Sequence, residues 1–183
     1  MCGIVGYTGK QEAAPIMLEG LKRLEYRGYD SAGIVINRDG ELSLCKAKGY
    51  VDALNEKIGG GSLMKGHTGV GHTRWATHGK PSDENAHPHV SSTGKIALVH
   101  NGIIENYQKL REMLIAKGFD FKSETDTEVA VNLIQFYYKG DILKAVSEAA
   151  RRMEGSYALG IVCEDYPDLL LATRKESPLI LGI

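Results

Sequence analysis

Cys2-Gly-Ile-Val-Gly-Tyr7 stands near the start of the 183-residue sequence. A short apolar run bounded by glycines is typical of a buried β-strand. The stretch therefore predicts that the chain begins inside a sheet. We expect that sheet to hold Cys2 in place.

Outward from this strand, turn signals and helical periodicity divide the rest of the chain. The Asp-Gly pair of Asn37-Arg-Asp-Gly40 predicts a hairpin between apolar runs at 33–36 and 42–46. Thr125 and Glu128 match a capping box that starts a helix. Apolar residues at helical spacing predict three further helices, at 11–24, 104–117 and 141–153. Short apolar runs predict strands at 70–73, 96–100, 157–163, 169–173 and 179–181.

The order of these elements indicates the fold class. Predicted hairpins lie towards both ends of the chain and predicted helices gather in the middle. Residues 75–90 show no periodicity, which predicts a long loop. Such segregation favours α+β layers over a doubly wound parallel sheet. The length of 183 residues fits one domain, 1–183.

Composition excludes several classes of function. The chain is 43% hydrophobic and 25% charged, and its net charge is −1. Its cations are scattered, so we expect no nucleic-acid partner. Apolar runs are too short for a bilayer span and no signal peptide is visible, so we expect no membrane partner. Three cysteines without a C-x-x-C spacing predict a reducing, cytoplasmic location.

Cys2 is the first candidate for chemistry. Removal of Met1 would put a thiol and a free α-amine on one residue, and an amine with a pKa of about 8 can take the thiol proton. A separate histidine base is then not required. The alternative is that Cys2 is a small buried hydrophobe in a strand.

Metal and phosphate sites are weakly indicated. Four histidines fall within 72–89, but no His-Glu-x-x-His and no paired Cys/His zinc spacing occurs. The Gly59-Gly-Gly61 run lacks the Gly-Lys-Ser/Thr of a phosphate loop. We therefore expect neither a metal nor an organic cofactor.

Six motifs occur in one order along the chain. They are Cys2-Gly-Ile-Val-Gly6, Arg27-Gly-Tyr-Asp-Ser-Ala-Gly33, His72-Thr-Arg-Trp-Ala-Thr-His-Gly79, Asn85-Ala-His-Pro-His89, His100-Asn-Gly-Ile-Ile-Glu-Asn106 and Ser123-Glu-Thr-Asp-Thr-Glu128. Together they closely resemble the glutaminase (class II glutamine amidotransferase) domain of the glucosamine-6-phosphate synthase family, the isomerizing glutamine:fructose-6-phosphate aminotransferases. This resemblance implies the N-terminal nucleophile hydrolase fold, a four-layer αββα sandwich of two mainly antiparallel sheets.

The resemblance also implies how an amide would be attacked. Cys2 would be the nucleophile, and the Asn101 side chain with the Gly102 backbone N–H would form the oxyanion hole. Arg27 would help to position the nucleophile end, and His87 would be a supporting residue. Alternatives are a plain Asn-Gly turn, and a cation at a helix terminus for Arg27.

Recognition of L-glutamine falls on a second set of residues. The resemblance implies that Arg74, with Thr77 beside it, binds the α-carboxylate and that Asp126 binds the α-ammonium. Trp75 would gate the site and His78 would line it. Simpler alternatives are a surface ion pair for Arg74, a helix cap for Asp126 and a core position for Trp75.

The function implied is hydrolysis of glutamine through a Cys2 thioester to glutamate and ammonia. Members of the family carry a C-terminal sugar-phosphate isomerase region that uses the ammonia on fructose 6-phosphate, and we expect this sequence to be a glutaminase domain truncated at its C-terminal end without that region. An acceptor such as phosphoribosylpyrophosphate, or a catalytically silent domain of the same fold, remains an alternative. The oligomeric state is left open.

Overall fold

The computed structural model describes residues 2–75 and 82–182. Eight strands are found there: β1 Gly3–Thr8, β2 Ser31–Arg38, β3 Glu41–Lys48, β4 Thr68–Arg74, β5 His89–Val90, β6 Ile96–Ile104, β7 Gly155–Cys163 and β8 Tyr166–Lys175. Five α-helices accompany them: α1 Ala13–Leu24, α2 Val51–Lys57, α3 Tyr107–Ala116, α4 Asp126–Tyr137 and α5 Ile142–Arg152. None of these helices combines the length and apolar character needed to cross a bilayer.

The first sheet has the strand order β1-β4-β2-β3 and is antiparallel throughout. Its β2–β3 hairpin turns at Asp39 and Gly40, whose φ angles are 51° and 92°. Two consecutive positive φ values are those of a tight hairpin turn with the right twist. The predicted hairpin is confirmed, and so is the strand that begins next to Cys2.

The second sheet has the order β5-β6-β7-β8 and is also antiparallel. Its strand β6 is longer than predicted, because pairing with β7 continues to Ile104↔Gly155. The helix expected from residue 104 therefore begins only at Tyr107. This extension keeps Asn101 and Gly102 within the sheet.

Three apolar layers hold the sheets and helices together. One core joins α1 and α2 to the first sheet, and a second joins the later three helices to the other sheet. Between the sheets lies a thin core of small side chains. Its buried members are Val35, Val70, Ala97, Val99 and Val162, and the partly buried Ile4, Leu42, Val90 and Leu170 pack against them. The predicted αββα sandwich is confirmed.

The structure differs from the sequence-based expectation at two further places. Helix α2 was not predicted: its N-cap residue Tyr50 provides no side-chain cap, and the Val51 N–H is accepted instead by the distant Glu25 carboxylate. Residues 179–181 form no strand, and Ile180 is 91% exposed. The other apolar runs became strands because each finds a partner strand, whereas 179–181 pairs with none in the described part of the chain.

Helix α4 begins as predicted but with only half of the expected capping box. The Thr125 hydroxyl accepts a hydrogen bond from the Glu128 N–H at 3.2 Å. The Glu128 carboxylate does not return to Thr125 and instead accepts the N–H groups of Lys122 and Ser123 at 2.9 and 2.6 Å. Glu128 thereby fixes the chain entering the helix.

Candidate active site

A cavity of about 430 Å³ opens where the first strand, the end of β4, the middle of β6 and the start of α4 meet. Eight of the ten predicted site residues line it. They are Cys2, Arg27, Arg74, Trp75, His87, Asn101, Gly102 and Asp126. The remaining two, Thr77 and His78, lie outside the described residues.

The thiol of Cys2 is held against the end of β4. The Trp75 N–H donates to Sγ at 3.1 Å, and Sγ lies 3.5 Å from the Trp75 carbonyl oxygen. Burial raises the pKa of the Cys2 thiol, while the Trp75 N–H and the charge of Arg74 work in the opposite direction. Because it faces the cavity and binds a backbone N–H, Cys2 is more than an apolar core residue. A nearby base is needed to form its thiolate.

The Arg27-Gly-Tyr motif supports the same strand end. A Cβ at Gly28 would lie 2.9 Å from the backbone carbon of Arg74, so only glycine allows this close approach. The Tyr29 ring contacts the Trp75 ring edge-on, with 5.3 Å between centroids. Trp75 is 48% exposed, which contradicts its alternative reading as a core residue. Arg27 is exposed beside them, and its Nε donates to the Tyr26 hydroxyl at 2.8 Å.

Asn101 faces Cys2 from the opposite sheet. Its Nδ2 donates to the Cys2 carbonyl oxygen at 3.2 Å. The next residue, Gly102, has φ +126°, and a Cβ there would lie 2.0 Å from the Ser156 carbonyl oxygen. The pair therefore stands within a strand ladder, which contradicts the alternative of a plain turn.

Opposite charges lie in the cavity wall. Arg74 is 3% exposed at the end of β4, so its alternative reading as a surface ion pair is wrong. Burial lowers the pKa of its guanidinium, and the charges of Asp30, Cys2 and Asp126 oppose that shift. Asp126 is 5% exposed as the first residue of α4. Its Oδ2 accepts the Ile104 N–H at 2.9 Å, so one carboxylate oxygen has a structural role.

A group of buried histidines lies behind the cavity. Thr127 Oγ1 lies 2.7 Å from His87 Nε2 and 3.0 Å from His100 Nδ1. His72 Nε2 lies 2.8 Å from Asn101 Oδ1. Burial lowers the pKa of His72 to about 3 and that of His87 well below its ordinary range, so both rings are neutral.

Sequence reasoning assigned no site role to Thr127, His72 or His100. The only available signal was their position inside the quoted motifs, next to residues that were assigned. Among the described residues, no group of three or more His, Cys, Asp or Glu side chains is arranged to hold a metal ion.

A family model described as a glutamine amidotransferase domain matches residues 72–181. Glutamine–fructose-6-phosphate aminotransferase (isomerizing) of Caldanaerobacter subterraneus is 59% identical over the whole chain, and the protein of the same name from Clostridium tetani is 58% identical. The chain spans 30% of the length of each of these relatives.

A solved structure of glutamine phosphoribosylpyrophosphate amidotransferase from B. subtilis, complexed with ADP and GMP, superposes with a TM-score of 0.78 and 30% identity. The match covers 90% of this chain and 35% of that one. Sequence motifs, two stacked antiparallel sheets and the family match agree, and the chain belongs to the glutamine amidotransferase domain family.

Proposed function

We propose that the chain hydrolyses the side-chain amide of L-glutamine to glutamate and ammonia through a thioester on Cys2. One observation carries the proposal. A single cavity brings together a thiol, the amide donor of Asn101 and a buried pair of opposite charges, Arg74 and Asp126. These are the groups that attack, oxyanion stabilisation and amino-acid recognition require.

The α-amine of Cys2, freed by removal of Met1, acts as the base. It accepts the thiol proton, and the thiolate attacks the amide carbon to form a tetrahedral oxyanion. The same amine returns its proton to the leaving nitrogen, and ammonia departs. Water then attacks the thioester, releasing glutamate and restoring the thiol. The raised pKa of Cys2 is the reason that a base is needed at this position.

Asn101 and Gly102 form the oxyanion hole in this mechanism. Nδ2 of Asn101 already donates to an oxygen of the nucleophile residue at 3.2 Å. The positive φ of Gly102 sets the direction of the peptide that follows Asn101. A donor fixed before reaction requires little reorganisation as negative charge develops, which is what stabilises the transition state.

Arg74 and Asp126 select glutamine among amides by binding its α-carboxylate and α-ammonium. Both side chains are almost fully buried, so their charges act in a low dielectric. The family resemblance is the support for Thr77 as a second ligand of the carboxylate and for His78 as a further substrate contact, since both lie outside the described residues. Trp75 closes over the substrate, with Arg27 and His87 in supporting positions.

The released ammonia serves a larger enzyme. The names of the relatives that are 58–59% identical favour fructose 6-phosphate as acceptor. The family resemblance adds glucosamine 6-phosphate as the product, formed in a C-terminal isomerase region. The 30% identity to a phosphoribosylpyrophosphate amidotransferase keeps that acceptor as a second candidate. The proposed chemistry uses neither a metal nor an organic cofactor. The three cysteines of the chain are free, as is usual for cytoplasmic proteins.

Glutamate release from L-glutamine by the purified chain tests the proposal, with Cys2→Ala as the inactive control. Intact mass shows whether Met1 has been removed, and a chain that retains Met1 should be inactive. A glutamine-like diazo-ketone followed by peptide mapping should modify Cys2 alone. Modification elsewhere, or full activity in Cys2→Ala, would contradict the mechanism. Incubation with fructose 6-phosphate and glutamine should yield no glucosamine 6-phosphate from this chain alone.

A further inference from the structure

The carboxamide of Asn101 has an NH₂ group that donates hydrogen bonds and an oxygen that accepts them. Its NH₂ end faces the Cys2 carbonyl oxygen at 3.2 Å, and its oxygen faces His72 Nε2 at 2.8 Å. A rotation of half a turn about the last side-chain bond would exchange the two ends. The NH₂ group stabilises an oxyanion only in the first orientation, since a carbonyl oxygen there would repel the developing charge.

The orientation of Asn101 and the position of the His72 ring proton are linked. The ring is 1% exposed, and burial keeps it neutral by lowering its pKa to about 3. A neutral imidazole carries one proton. Because the Cys2 carbonyl oxygen can only accept, Asn101 must turn its NH₂ group to that side. Its oxygen then faces Nε2, and the contact is a hydrogen bond only if the ring proton is on Nε2.

His72 itself has little freedom to move. It lies on β4 between β1 and β2, paired with Ile4 on one side and Gly33 on the other. Its ring packs against His87 with 4.2 Å between centroids. The contact to Asn101 reaches from the first sheet to the second, so it connects the two sheets beside the nucleophile.

We propose that His72 is a positioning residue that locks the Asn101 carboxamide with its NH₂ group towards the oxyanion. The inference rests on the proposed glutamine hydrolysis and deepens it. His72 touches neither substrate nor thiol in this role. With the ring proton on Nε2, the flipped orientation would set the NH₂ group against another donor and lose a buried hydrogen bond.

Two polar substitutions of different reach test the inference. The amide nitrogen in His72→Gln reaches about as far as Nε2, whereas in His72→Asn it reaches only the place of Nδ1. We expect His72→Asn to lower kcat about 10- to 100-fold, which does not exceed the effect of losing an oxyanion donor. The kcat of His72→Gln should remain within about fivefold of wild type. Equal activity of His72→Asn and wild type would overturn the proposal.

A ligand comparison separates this role from a general structural one. The γ-semialdehyde of L-glutamate adds the Cys2 thiol to form a tetrahedral thiohemiacetal, which places an oxygen in the oxyanion hole, whereas L-glutamate does not. In His72→Asn the affinity for the semialdehyde should fall with kcat, while that for glutamate stays within about threefold. Parallel loss of both affinities would indicate damage to the whole pocket and overturn the proposal.

His89→Asn is the matched control. His89 is also buried, but its Nε2 contacts Thr125 Oγ1 at 3.0 Å and not Asn101. It should cost stability while leaving the ratio of semialdehyde to glutamate affinity unchanged. Combined with Asn101→Ala, His72→Asn should add no further loss of kcat, because its effect passes through the missing side chain.

The tautomer can be read without any variant. Ring nitrogen chemical shifts of the wild-type 20.0 kDa chain should place the His72 proton on Nε2, and a proton on Nδ1 would overturn the proposal even if the variants do not fold. Different results would refute the proposed glutamine hydrolysis and the proposed role of His72. A wild-type chain that has lost Met1 and neither hydrolyses glutamine nor binds the semialdehyde refutes the proposed function. An active wild type matched by His72→Asn refutes only the role of His72.

Discussion

Replacement of Gly102 by alanine tests how closely β6 and β7 approach at the site. A Cβ at this position would lie 2.0 Å from the Ser156 carbonyl oxygen and 2.8 Å from the Tyr157 Cα, far inside the contact distance of about 3.5 Å. Both atoms belong to the backbone, so no side chain can turn away to relieve the clash. The two strands must separate locally.

Two costs add in Gly102→Ala. The φ of +126° is outside the range that an alanine adopts easily, which costs about 1–2 kcal/mol. Overpacking against backbone costs a further 1–3 kcal/mol or so. The sum of about 2–5 kcal/mol corresponds to a fall in Tm of roughly 4–20 °C for a chain of this size.

Gly118→Ala is the matched control, because Gly118 has φ +87° but open space where a Cβ would be. It should lose only the conformational part, about 1–2 kcal/mol. Thermal unfolding followed by circular dichroism compares the two variants, and glutamate release measures kcat. Gly102→Ala should also lose about 100-fold in kcat, because its N–H would be displaced from the oxyanion. Equal Tm values for the two variants would refute the close-approach argument.

Three further outcomes follow from the site. Asp126→Asn keeps an acceptor for the Ile104 N–H but removes the charge. The KM for glutamine should therefore rise about 10- to 100-fold with little change in Tm. An unchanged KM in steady-state kinetics would contradict the role of Asp126 in ammonium binding. Burial lowers the pKa of His72 to about 3 and those of His87 and His89 well below their ordinary range, so below about pH 6.5 the unfolded chain binds more protons than the folded one. The free energy of unfolding is therefore highest above that pH and falls as the pH drops, by up to about 4 kcal/mol per pH unit for three rings. Urea midpoints that stay constant down to about pH 5 would contradict this. Burial also raises the pKa of the Cys2 thiol, so in a chain that retains Met1 the rate of alkylation by iodoacetamide should still increase above about pH 8.5, and a plateau near neutral pH would contradict that environment.

Most of the helices and strands could be predicted because the sequence signals that define them lie within a few residues of one another. The Asp-Gly turn of the β2–β3 hairpin and the Thr125 cap of α4 are formed by residues within three positions of each other. Helix α2 escaped prediction because it has seven residues, no cap from its own N-cap residue and only Val51 and Leu54 buried. Length and capping are what a pattern detects, and this helix has little of either.

Pairing over long distances could not be predicted from the sequence alone. Strand β6 continues to Ile104 because β7 offers it a partner more than fifty residues later along the chain. The contact between His72 and Asn101 likewise joins two sheets. The motifs marked the residues of the site, but periodicity carries no information on which side chains meet across a sandwich.

Cys2, the proposed nucleophile, and Asn101, its proposed oxyanion donor, approach from opposite sheets, and between the sheets lies the layer of Val35, Val70, Ala97, Val99 and Val162. The thickness of that layer sets how far Asn101 stands from Cys2. A Val99→Ile exchange, two residues before Asn101, would wedge the sheets apart by a fraction of an ångström while adding apolar bulk. The turnover rate should therefore respond to the packing of this layer more sensitively than Tm does, because a small misalignment of the site slows the reaction before it destabilises the fold.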